Sequence, residues 1–214
     1  MSEHEIEPIP GLPDYLPPGE RLLWQGAPNW RPLAMRAFRL REVMVYFAVL
    51  MAWRGFMAAL EGGSLLEVMD AVLSLAPLAL AAVAILLVIA TLSARTTMYS
   101  ITDRRIVMRI GMALPITLNI PFEGIDGAAV VEHKDHSGDI TLSLNDNGRI
   151  GYLVLWPHVR PWRYARPEPM LRALADPQAA VDVLGRALAG YIQPKPVSIP
   201  QTPEEAMRSA AMAS

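Results

Sequence analysis

The chain has 214 residues, enough for one or two compact units. It is 52% hydrophobic with a mean hydropathy of +0.26, and its net charge of −2 gives no reason to expect nucleic-acid binding. With Cys at 0, disulfides, thiol catalysis and cysteine-ligated metals are excluded.

Residues 1–18 are acidic and proline-rich and are read as a disordered tail. Glu3, Glu5 and Glu7 replace the basic start of a signal peptide, and Pro8, Pro10 and Pro13 interrupt an apolar core, so this end is expected in the cytoplasm. Residues 19–42 are read as a first strand followed by a basic juxtamembrane segment. Gly19-Glu-Arg-Leu-Leu-Trp-Gln-Gly26 alternates well enough for the strand, and Trp24 and Trp30 flank a turn-like Gly-Ala-Pro-Asn. Arg31, Arg36, Arg39 and Arg41 follow, with no acidic residue among them.

Residues 43–92 are read as a transmembrane hairpin. Its first helix, Val43–Leu60, has the length of a short span but carries Arg54. An arginine near a helix centre costs about 2.5–3.5 kcal/mol on an insertion scale, roughly what seven strong apolar side chains return, so this helix needs its neighbour. Glu61 to Asp70 is an acidic connection with Gly62 and Gly63 available for a turn. Ala71 to Leu92 is an unbroken uncharged run, the surer span, and its Pro77 lies in the early turns. Basic residues precede the first helix and recur after the second at Arg95, Arg104, Arg105 and Arg109, while the connection between has none. The positive-inside rule therefore places both termini in the cytoplasm. From Leu65 to Leu92 there is room for one full span and not two, so the count is two.

Residues 93–192 are read as a cytoplasmic β-domain. Thr97–Ile101 and Ile106–Ile110 pair around Thr-Asp-Arg-Arg, and Ile116, Leu118, Ile120 and Phe122 mark a half-buried strand ending near Pro121. Ile140, Leu142 and Leu144 mark another, with Asn145-Asp-Asn-Gly148 expected to turn into a strand at Arg149–Leu155. Asp176-Pro177 starts a helix carrying Val181, Leu184, Leu188 and Tyr191, expected to close an open antiparallel sheet. Residues 193–214 are read as a second disordered tail, with one weak helical turn near Glu204.

The Gly19–Gly26 pattern, the hairpin, then Tyr99-Ser-Ile-Thr-Asp-Arg-Arg-Ile and Gly111, together resemble the bacterial pleckstrin-homology-like membrane proteins. Two further regions resemble the PuhB-type photosynthetic-complex assembly proteins of purple bacteria. These are Trp24-Gln-Gly-Ala-Pro-Asn-Trp30, and Leu155-Trp-Pro-His-Val-Arg-Pro-Trp-Arg163 continuing through Ala165-Arg-Pro167 to Pro169-Met-Leu171. The resemblance covers roughly residues 11–192. It implies an α+β membrane protein in which a two-helix hairpin joins a small antiparallel β-domain of pleckstrin-homology type closed by a C-terminal helix. It also implies a multi-pass place in the bacterial inner or intracytoplasmic membrane. The implied role is a non-enzymatic assembly factor for the photosynthetic reaction centre, whose partners are reaction-centre subunits and light-harvesting complex 1 proteins. It supplies no catalytic residue, cofactor or metal.

Candidate contact residues follow from residue type. Arg36, Arg39 and Arg41, with Arg31, suit anionic lipid headgroups at about 1 kcal/mol each and also act as topology determinants. Arg54 either meets a partner helix or snorkels to pair with Glu61. Arg104 and Arg105 either contact a ligand or belong to a hairpin turn with a local ion pair. Trp24 and Trp30 border the first turn. Trp156, Arg160, Trp162 and Arg163 form the richest surface candidate, since Trp and Arg are enriched at binding hot spots. The alternative is that Trp156 and Trp162 pack beneath the C-terminal helix. His4, His133, His136 and His158 all lie outside the expected spans, so an intramembrane axial ligand to pigment or haem is not expected, nor is a His133/His136 metal site. A homodimer stays open, as does a general lipid- or protein-binding scaffold without a photosynthetic client. A membrane enzyme would need a polar constellation that the sequence does not offer.

Overall fold

The structure is a computed structural model that describes residues 16–111, 115–145 and 150–192. Most of the two tails, His4, Glu204 and residues 146–149 of the expected turn lie outside the described residues.

The β-domain contains two antiparallel sheets. β1 (Leu22–Gly26), β2 (Met98–Thr102), β3 (Arg105–Ile110) and β4 (Ile116–Pro121) pair in that order, and β5 (Ile125–Glu132), β6 (Gly138–Leu144) and β7 (Met170–Leu174) form the second sheet. The expected strands at the β2–β3 hairpin place Tyr99, Ile101, Ile106, Met108 and Ile110 inside. Ile140 and Leu142 of β6 and Leu171 and Leu174 of β7 meet them from the other sheet. The final helix, which we label α6 (Pro177–Ile192), contributes Ala180, Leu184 and Ala187 to this core. Asp176 caps it, accepting from the Ala179 N–H at 3.0 Å.

Two expectations are corrected here. The closed element is a pair of sheets, with β5 and β7 added to the strands foreseen. The described part of the expected Arg149–Leu155 strand, residues 150–155, is not a strand: Tyr152–Leu155 is one helical turn, α5, and β7 takes the place beside β6 that this segment was expected to fill. The apolar run Tyr-Leu-Val-Leu suits either backbone, and only Leu155 of it is buried, so no second sheet face demands an extended chain.

The hairpin is inserted between β1 and β2, which remain hydrogen-bonded neighbours across it. α2 (Leu40–Leu60) is followed by α3 (Leu65–Leu73) and α4 (Ala76–Thr96). Ser64 and Glu67 form a capping box at the start of α3. The chain breaks at Ser74–Leu75, just ahead of Pro77, which occupies the first turn of α4 where its missing N–H costs least. Two stretches, Leu40–Leu60 and Leu65–Thr96, are long and apolar enough to cross a membrane. Many of their apolar side chains are exposed: Val49 is 62% exposed, Leu60 67% and Leu80 69%. Such a surface is unfavourable in water and natural in lipid. Gly55 is buried because a Cβ there would lie 2.6 Å from Val72 Cγ2, so its absence lets α2 and α3 close together.

The long apolar helices are joined to the domain by a second core. Asn29 caps a short helix, α1 (Trp30–Arg36), inside the stretch read from sequence as a basic juxtamembrane segment. Leu33, Ala34, Phe38 and Leu40 pack against Ala90 and Ala94 at the end of α4 and against Ala173 of β7. The Asn29 N–H donates to the Ala173 carbonyl at 2.8 Å. On the other side α4 runs into β2 through Thr97 alone.

Candidate functional site

The end of the β-domain nearest the hairpin holds a pocket of about 280 Å³. Arg36, Arg39 and Arg172 line it together with Tyr152, Trp156, Trp162 and Tyr164, and none of its described lining residues is acidic.

Each arginine arrives by a local backbone device. In β7 the register slips: Gly138 pairs with Leu174 and Ile140 with Leu171, so Arg172 and Ala173 form a bulge. Ala173 sits at φ 55°, in the left-handed region. The two bulge N–H groups are taken by side chains, Arg172 donating to Tyr99 Oη at 3.1 Å and Ala173 to Asp139 Oδ1 at 2.7 Å. A bulge re-aims side chains, and here it directs Arg172 to the pocket. Its guanidinium donates to the Pro157 carbonyl at 2.9 Å. Arg39 makes the elbow between α1 and α2 at φ 51°, and its guanidinium lies 5.8 Å from the centre of the Trp162 ring. Arg36, in the last turn of α1, pairs with Asp135 and donates to Ser137 Oγ at 2.7 Å.

The Trp-rich loop is held from both ends. Trp156–Pro157 is a cis peptide bond, and Trp156 packs edge-on against Phe38 with ring centres 5.5 Å apart. Glu168 binds Arg160 at 2.9 Å and Arg163 at 3.2 Å, so both of these candidate arginines serve to close the loop on itself. Neither tryptophan lies under α6: Trp156 is 48% exposed and Trp162 72%.

Beneath the pocket runs a buried polar chain. Tyr99 Oη accepts from the Arg172 N–H and lies 2.7 Å from His158 Nδ1, while His158 Nε2 lies 3.1 Å from Thr97 Oγ1. With the Tyr99 hydroxyl donating to Nδ1, the ring carries its proton on Nε2 and every member is satisfied. Burial, then repulsion from Arg172, pushes the His158 pKa down to about 3. Burial also raises the Tyr99 pKa and lowers that of Arg172, the latter opposed by Asp139. For Asp135 burial acts upward, but the bonds from Ser137 and Arg36 outweigh it and hold the carboxyl at about 2.

The other candidate residues lie elsewhere. Trp24 is half-buried against the main core. Trp30 is exposed with Arg31 stacked on it at 5.3 Å, and Arg41 is exposed in the first turn of α2. Arg54 is exposed and makes no ion pair with Glu61 among the described residues; two helical turns of about 10 Å separate them. Arg104 and Arg105 sit at the β2–β3 turn, the end of the domain away from the hairpin. Asp103 there accepts from the Arg21 N–H rather than pairing with its neighbours, and Arg105 reaches Glu20 at 2.9 Å and Asn119 at 3.3 Å. His133 meets Asp139 at 3.0 Å, and His136 is exposed. Sequence reading singled out Arg36, Arg39, Trp156 and Trp162, which the fold brings together, and missed Arg172, Tyr99 and Tyr152. The alternation of β2 already marked Tyr99 as an inward position; nothing in the sequence marks the bulge.

The chain matches the family described as Bacterial PH domain over residues 43–186. It is 33% identical over 205 residues to a protein of Rhodobacter capsulatus described as an uncharacterized 23.7 kDa protein in the puhA 5′ region, covering 94% of this chain and 96% of the other. No solved structure matches.

Proposed function

Starting from the fact that the chain belongs to the bacterial PH domain family, we propose that it is a non-enzymatic, membrane-anchored factor that helps build the photosynthetic reaction centre and its light-harvesting partner. The observation that carries this reading is the relative in the puhA 5′ region, similar along nearly the whole of both chains. It agrees with the resemblance of the Trp24–Trp30 and Leu155–Leu171 segments to PuhB-type assembly proteins.

The fold supplies a physical rationale. α2 and α4 lie in the inner membrane, with both termini and the β-domain on the cytoplasmic side, following the arginine distribution. The apolar flanks of the hairpin shelter a client helix, and the Trp-rich loop meets a cytoplasmic part of the same client. Confinement to the membrane raises the local concentration of both, so weak contacts suffice. Deletion of the gene in its native host, followed by absorbance spectroscopy under phototrophic growth, tests the reading. The expected result is loss of reaction centre with pigment synthesis retained, and recovery of reaction-centre subunits with a tagged copy. Normal reaction-centre levels would sink it and leave a general membrane scaffold, the second reading.

A further inference from the structure

The pocket at the root of the hairpin brings together more positive charge than the fold neutralises. Arg36 has Asp135. Arg39 has only the Trp162 face, and Arg172 only the Pro157 carbonyl for its guanidinium, among the described residues. Arg172 is 8% exposed, so its charge is largely withdrawn from water; the Asp139 carboxylate acts on it, but no carboxylate is bonded to its guanidinium among the described residues. A buried charge of that kind is costly unless an opposite charge arrives.

The surroundings say what sort of anion fits. Arg39 is followed at once by Leu40, the first residue of a helix long and apolar enough to span a bilayer, so the pocket opens where the apolar layer begins. Leu153, next in the chain to the pocket-lining Tyr152, is 86% exposed and Trp162 72%, bare apolar and aromatic groups suited to a membrane interface. The volume equals about nine water molecules at roughly 30 Å³ each, room for a phosphate and a short polar alcohol. Guanidinium forks match the paired oxygens of phosphate.

We propose that this pocket holds the phosphodiester headgroup of an anionic phospholipid, with Arg39 and Arg172 on the phosphate and the acyl chains leaving along α2. The proposal rests on the reading that the hairpin lies in a bilayer. An acidic protein segment would satisfy the arginines but gives no use for the exposed Leu153.

The test uses the full chain in detergent and in nanodiscs, with phosphatidylglycerol and phosphatidylcholine as probes and native mass spectrometry as the readout. One phosphatidylglycerol retained in preference to phosphatidylcholine is the expected result. Arg39→Gln, at an exposed position, should weaken retention about tenfold or more, as loss of a charge-assisted bond does. Arg172→Lys, which keeps the charge and loses the fork, should also weaken it. Arg41→Gln, outside the pocket, should leave it unchanged. Equal retention of the two lipids overturns the proposal, and so does an Arg41→Gln effect as large as that of Arg39→Gln. Saturable binding of a soluble acidic peptide without phosphatidylglycerol preference overturns it in favour of a protein ligand. Alkaline carbonate extraction checks the anchor separately: release into the soluble fraction sinks the bilayer reading, whereas a retained protein indifferent to phosphatidylglycerol sinks the pocket alone.

Discussion

The two ends of the β-domain both carry arginines and use them in opposite ways. At the end away from the hairpin, Arg105 is spent inside the fold, on a Glu20 whose side chain is only 3% exposed. At the end beside the hairpin, Arg39 and Arg172 face a shared space with no carboxylate lining it. The same residue type is thus a structural tie where an acid is folded against it and a charge turned to an open pocket where no acid lines the space. Counting arginines in the sequence does not separate the two; the partner does.

Breaking the tie should have the largest effect. Arg105→Ala leaves the Glu20 carboxylate buried and unpaired, and should cost about 3 kcal/mol, seen as a lowered thermal midpoint in detergent. Phosphatidylglycerol retention of the surviving fold should be untouched, because the pocket is at the other end. Leu33→Ala attacks the join between hairpin and domain. Leu33 is 1% exposed in the second core, and its truncation should cost roughly 2–3 kcal/mol and open the α1 segment to limited proteolysis.

Acid should weaken the hairpin-proximal end next. The folded chain keeps His158 neutral down to about pH 3, whereas an unfolded histidine takes up its proton near 6.5. The unfolded state therefore binds more protons in that window, so stability is complete above about pH 6.5 and falls as pH drops toward 3. At pH 5 the loss is about 2 kcal/mol. Unfolding midpoints measured from pH 7.5 to 5 should show the slope, and His158→Gln should flatten it. The smallest stability effect belongs to Arg39→Gln, expected within about 0.5 kcal/mol because the side chain is exposed. If Arg39→Gln instead destabilised the fold as strongly as Arg105→Ala, the contrast between the two ends would collapse.

Legibility followed the strength of local patterning. The hairpin, the β2–β3 pair and α6 were readable because an uncharged run, an alternation and a cap each leave one interpretation. β5 was not, since Gly127-Ala-Ala-Val130 has little side-chain contrast and most of the strand is exposed. β7 was not, because it is buried throughout and its bulge breaks the period. α1 hid behind Pro32 and its arginines, although Asn29 was a cap signal in plain view. For the site, the Trp-rich loop and Arg39 stood out by composition, whereas Arg172 joins them only through a register slip that depends on the partner strand. Ala90 is the point where α1 sits down on α4.

That seat has a mechanical consequence. The domain is fixed to the hairpin at two places, through Thr97 on one side and through the clamp of α1 on α4 on the other. A single flexible linker is a universal joint, letting its cargo sweep a hemisphere above the membrane. A two-point mount removes the swivel, so tilting α4 turns the β-domain with it like a hand on a lever. Anything grasped by the Trp-rich loop is then presented at one height and one bearing relative to the helices below.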